Sequence, residues 1–71
     1  MSHKFEVAVF NQKVVDAMAR GQKHRLYPDA WAENHYFEVT ASTPDEAKRK
    51  IQVKYPEENG FVVAAVIPVG E

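Results

Sequence analysis

Hydrophobic and polar positions alternate from Lys4 to Phe10, with Phe5, Val7 and Val9 on one side and Glu6, Ala8 and Phe10 on the other. A period of two predicts a strand. His35 to Ala41 repeats the pattern, with His35, Phe37, Val39 and Ala41 facing away from Tyr36, Glu38 and Thr40. Between these strands Asn11 is placed to cap a helix running to Ala19. Val14, Ala17 and Met18 form its apolar stripe, Lys13, Asp16 and Arg20 lie opposite, and Gly21 ends it in the left-handed conformation. Gln22 to Asn34 has no period and reads as a long loop, in which Pro28-Asp29 suits the middle of a type I turn.

The strongest local signal is Ser42-Thr43-Pro44-Asp45-Glu46. Thr43 is the N-cap, Pro44 takes the first helical position where its missing N–H costs nothing, and Glu46 completes a capping box. Ala47, Ile51 and Tyr55 then fall at i, i+4 and i+8 on one buried stripe. Asp45 with Arg49, and Glu46 with Lys50, form acid-before-base pairs, each worth about 0.2–0.5 kcal/mol. Pro56 stops the helix, and the turn Glu57-Glu58-Asn59-Gly60 sends the chain into a last strand, Phe61 to Pro68.

That last strand is apolar on both sides. Phe61, Val63, Ala65 and Ile67 make one face and Val62, Ala64 and Val66 the other. A strand covered on both faces reads this way. The simplest assembly pairs the first two strands antiparallel and carries the third to the far side of the first, giving the order 2-1-3, with a parallel first unit as the alternative. Either way the chain is a single domain spanning 1–71, a small two-layer α+β fold. Its three-stranded sheet carries the helix Pro44–Tyr55 on one face, in the order β-(α)-β-α-β. From Phe37 to Val69 the succession of strand, capped helix, Tyr-Pro and apolar strand resembles that of small bacterial accessory proteins and small subunits of larger complexes. The likeness rests on capping and punctuation alone and implies no particular family.

Size sharpens the point about the third strand. A chain of 71 residues buries a limited share of its surface, and the absence of Cys removes disulfides and thiolate metal sites as reinforcement. The first helix with the long loop, and a second copy of the chain, are the routes left to cover a second apolar face, and the latter leads us to expect a homo-oligomer built through Val62, Ala64 and Val66. The net charge of −1 exerts no global pull toward nucleic acid or anionic membrane. Charge is nonetheless grouped: Lys13, Arg20, Lys23 and Arg25 stand against Asp16 alone, and the formal charges from Asp29 to Glu46 are all negative. No apolar run approaches the length of a membrane span, and the N-terminus lacks the apolar core of a signal peptide. The expectation is a cytoplasmic protein that does not engage membranes.

Chemistry-bearing constellations are sparse. There is no Cys and no G-x-S-x-G, and Thr43 is accounted for as a cap. The three glycines are isolated and form no phosphate-binding loop. His24, Asp29, Glu33 and His35 fall within a dozen residues but match no ligand spacing, so no metal and no cofactor is expected. The leading expectation is a non-catalytic protein-interaction module or small accessory subunit. Arg20, Lys23, Arg25, Tyr27 and Trp31 would form its contact loop, since Arg, Tyr and Trp are enriched at binding hot spots. Tyr27 and Trp31 equally suit a role beneath the loop, completing a thin core. Two alternatives use the same region: a weak nucleic-acid binder, with cations for phosphates and aromatics for bases, and a small enzyme with an intersubunit site at His35 beside Glu33 or Glu38.

Overall fold

The computed structural model describes residues 2–69. The elements are β1 (His3–Asn11), α1 (Gln12–Ala19), β2 (His35–Ala41), α2 (Pro44–Lys54) and β3 (Phe61–Val69), with 3₁₀ turns at Asp29–Ala32 and Glu57–Asn59. β1 is the central strand and pairs antiparallel with both neighbours, giving the order β2-β1-β3. α2 crosses from one edge of the sheet to the other and contacts all three strands. The fold is a small α+β domain with its helix on one face of a three-stranded sheet.

The local reasons are visible at each junction. Asn11 is both the last residue of β1 and the cap of α1. Its Oδ1 accepts from the N–H groups of Lys13 (2.9 Å) and Val14 (3.2 Å), while its Nδ2 donates to the Asn59 carbonyl (3.1 Å). It is fully buried, and its side chain ties the start of α1 to the turn before β3. At the other end of α1, Gly21 N–H donates to Met18 O and Gln22 N–H to Ala17 O. This double closure around a left-handed glycine is the Schellman arrangement, with Gly21 at φ 70°.

α2 begins as its sequence implies. The Thr43 hydroxyl accepts from the Glu46 N–H at 3.1 Å. The Glu46 carboxylate reaches one residue beyond the cap, accepting from the Ser42 N–H at 3.0 Å. Lys50 then pairs with Glu46 at 3.8 Å and donates to the Thr40 carbonyl. Asp45 and Arg49 form no ion pair among those described. Ala47 and Ile51 are buried, and Tyr55 caps the helix. Thr43→Ala removes the side-chain acceptor at an exposed helix start and is expected to lower stability by about 1 kcal/mol. Urea unfolding of the two proteins, compared at equal slope, checks this.

The core lies between the sheet and α2: Phe5, Val7, Val9, Ala41, Ala47, Ile51 and Phe61. Tyr27, Trp31, Phe37, Val39, Tyr55, Val63 and Val66 are half-buried around it. β3 departs from the alternation its sequence suggests. Ala8 pairs with Ala65 but Val9 pairs with Val63, so Ala64 is an extra, bulged residue. A bulge changes which face the following side chains meet. Phe61, Val63 and Val66 therefore share the helix side, and Ala65 and Ile67 move to the opposite one.

Candidate functional site

Three surfaces bear on function: the loop between α1 and β2, the concavity beneath it, and the sheet face that carries no helix.

The loop folds inward at its aromatics. Trp31 lies 4.2 Å from the ring of His35, 5.1 Å from Phe61, 5.4 Å from Tyr55 and 6.4 Å from Phe37, measured between centroids. Tyr27 meets Phe61 edge-on at 5.0 Å. These rings extend the core beyond the end of α2, where the sheet would otherwise be bare. His35 Nε2 lies 2.9 Å from the Ala30 carbonyl and holds the 3₁₀ turn against β2. His24 stacks on Tyr27 at 5.3 Å, and its Nδ1 accepts from the N–H groups of Leu26 and Tyr27. Of the residues considered for metal or acid–base chemistry, His24 and His35 are thus occupied in organising the loop, while Asp29, Glu33 and Glu38 are exposed. Among the described residues no three His, Asp or Glu side chains converge. Glu38 opposes Glu6, whereas His35 opposes Val9, so the two are on opposite faces of the sheet.

The cationic residues of the same segment stay outside. Arg20, Lys23 and Arg25 are exposed, and with Lys13, Asp16, Ala17, Gln22, His24 and Leu26 they line a cleft of about 570 Å³ between α1 and the 22–26 segment. The structure therefore separates what the sequence presents as one cluster. The aromatics Tyr27 and Trp31 pack inward, and Arg20, Lys23 and Arg25 line a concavity that adds Lys13 and His24.

The helix-free face of the sheet reads in rows across the strands. Lys4 lies between Val69 and Thr40, Glu6 between Ile67 and Glu38, Ala8 between Ala65 and Tyr36, and Phe10 beside Val62. The β3 column is wholly apolar: Val62, Ala65, Ile67 and Val69. Tyr36, Val62, Ile67 and Val69 are exposed, at 58%, 37%, 45% and 37% of their full areas. Ala8, between Ala65 and Tyr36 on the same face, is buried at 1%. Glu6 and Glu38 face each other directly, an unfavourable like-charge cross-strand pair. Of the residues that sequence reasoning set on this face, Val62 is there, Ala64 is the exposed bulge residue, and Val66 packs against the core. Phe10 and Ala8 were legible from the alternation of β1. Ala65, Ile67 and Val69 were not, because nothing in Val-Val-Ala-Ala-Val marks a bulge.

Comparison with protein-family models, curated proteins and solved structures finds no match to this chain. No helix among the described residues is long and apolar enough to cross a membrane.

Proposed function

We propose that this chain is a non-catalytic interaction module that associates with a second copy of itself through the helix-free face of its sheet. The observation that carries the reading is the bare apolar column Val62, Ala65, Ile67 and Val69, continued by Phe10 and Tyr36. Exposed contiguous apolar surface of this kind marks interaction sites. Face-to-face packing of two such sheets is an ordinary solution, and it brings Lys4 of one copy into reach of the opposed Glu6 and Glu38 of the other. Edge pairing through β3 is the poorer route. β3 is an edge strand, but its bulge at Ala64 and the missing N–H of Pro68 interrupt the ladder that a neighbouring strand would need.

The size of the surface sets the strength. Three strands of this length offer a face of about 400 Å² in projection. That is below the roughly 800 Å² per partner of a standard stable interface, so the association is weak and concentration-dependent. The nucleic-acid alternative needs aromatic platforms beside the cations, and the inward packing of Tyr27 and Trp31 weighs against it.

The test is a paired substitution on the exposed face, Val62→Lys with Ile67→Lys. Both side chains are exposed, so the melting temperature should change by no more than about 4 °C, the scale of less than 1 kcal/mol in a domain this small. The self-association measured for the parent protein should disappear. If the double variant associates as strongly as the parent, the face is not the contact.

A further inference from the structure

We infer that the cleft between α1 and the 22–26 segment is a binding site for a small, multiply charged phosphate-bearing anion. Arg20, Lys23 and Arg25 line it with Lys13, whose ammonium donates to the Glu58 carbonyl at 2.9 Å, and Asp16 is the one carboxylate in the lining. That carboxylate accepts from the Gln12 side-chain amide at 3.0 Å, a neutral donor that leaves its charge in place. No ion pair among the described residues involves Arg20, Lys23 or Arg25. Three cations without an ion-pair partner among the described residues thus share the lining with one carboxylate. A concave surface lined by one sign of charge concentrates its field on ions of the other.

His24 adds direction. Its Nδ1 accepts two backbone N–H groups, from Leu26 and Tyr27. The neutral ring must then carry its proton on Nε2, which makes that nitrogen a donor. Two guanidinium groups, the Lys23 ammonium and one imidazole N–H form the open donor set, against the single Asp16 carboxylate. Guanidinium groups pair with phosphate through two parallel hydrogen bonds. The volume of about 570 Å³ falls in the ordinary range for small-molecule sites. It fits a diphosphate or triphosphate group better than an extended strand, which would also look for the aromatic faces that Tyr27 and Trp31 keep for the core.

The chain supplies its own control. α2 carries a similar density of cations at Lys48, Arg49, Lys50 and Lys54, and Lys50 and Lys54 line a concavity of similar volume, about 580 Å³, but Glu38 shares that lining and Lys50 is tied to Glu46 and the Thr40 carbonyl. Titration of the ¹⁵N-labelled full chain with inorganic pyrophosphate, at an ionic strength of about 0.15 M, should shift the amide signals of residues 13 to 26 saturably. Signals of residues 48 to 54 should stay nearly still. Arg20→Gln with Lys23→Gln and Arg25→Gln, all exposed positions, should weaken binding by ~10-fold or more and leave the melting temperature unchanged. A nucleoside triphosphate binding more tightly than pyrophosphate places the nucleoside in the same cleft; equal affinities assign recognition to the phosphates alone. Uniform shifts on both helices, or an unchanged affinity in the triple variant, overturn the site. So does an oligonucleotide that binds through residues 13 to 26 while pyrophosphate does not.

Discussion

Trp31→Ala should lower the stability of this protein by about 3 kcal/mol, at the low end for removing a tryptophan because the ring is only partly enclosed. The ring touches His35, Phe37, Tyr55 and Phe61, which come from β2, the end of α2 and the start of β3. Its removal uncovers one end of the core and frees the 22–34 loop. A chain of this size has roughly 4–10 kcal/mol of stability in total, so the loss is a large fraction. It corresponds to a melting temperature lower by at least about 12 °C. Leu26→Ala in the same loop is the contrast: Leu26 is 78% exposed and should change stability by about 0.5 kcal/mol or less. Calorimetry of the three proteins decides the matter. If Trp31→Ala melts within a few degrees of the parent, the ring is a surface contact residue and the inward packing described for it is wrong.

Gly60→Ala should be comparably damaging for a different reason. Gly60 is buried at φ 97°, a conformation that costs an L-residue about 1–2 kcal/mol. A Cβ there would stand 2.7 Å from Asn11 Oδ1 and 2.7 Å from Lys13 Cγ. The lysine stem can move aside, but Asn11 cannot without breaking the cap on α1 and the bond to the Asn59 carbonyl. The expected total is about 3 kcal/mol, the backbone penalty plus disruption of buried hydrogen bonds. Gly21→Ala is the matched comparison: φ is 70° but nothing lies within 4 Å of the new Cβ, so only the backbone penalty of about 1 kcal/mol applies. The coupling has a sign that can be checked. In an Asn11→Ala background the Gly60→Ala cost should shrink, because the side chain it collides with is gone. Additive costs in urea unfolding would contradict the latch between Asn11 and Gly60.

Much of this architecture is legible in the sequence because it is written in local chemistry. Thr43-Pro44 and Glu46 specify the start of α2, Asn11 and Gly21 delimit α1, and the alternation of β1 and β2 fixes which side chains share a face. The strand order follows from connection rules once those elements are in place. Three features were not settled by the sequence, which for Tyr27 and Trp31 left the inward and the contact role equally open, and each depends on distant contacts. The bulge at Ala64 arises where β3 meets β1 between Ala8 and Val9, and no residue in β3 signals it. The inward turn of Tyr27 and Trp31 depends on the gap left beyond the end of α2, which exists only in three dimensions. The cleft joins Lys13 on α1 to Arg20, Lys23, His24 and Arg25 on the turn that follows. The sequence shows these cations as a run, with no sign that the run closes on a concavity.

The basic cleft and the apolar sheet face are formed by separate residues, so either proposal stands if the other fails. The second rests on an older physical constraint: a sheet of three strands with one helix has two faces and covers one. β3 is apolar along the other, with no charged side chain from Phe61 to Val69, where an isolated solvated face would carry alternating polar residues.

Sedimentation equilibrium of the parent protein, from about 10 μM to about 1 mM, tests that constraint most directly over the range where a weak interface is populated. The expected result is an average mass rising with concentration toward twice that of the 71-residue chain and returning to one chain in the Val62→Lys, Ile67→Lys variant. A mass fixed at one chain across the whole range would contradict a self-associating sheet face.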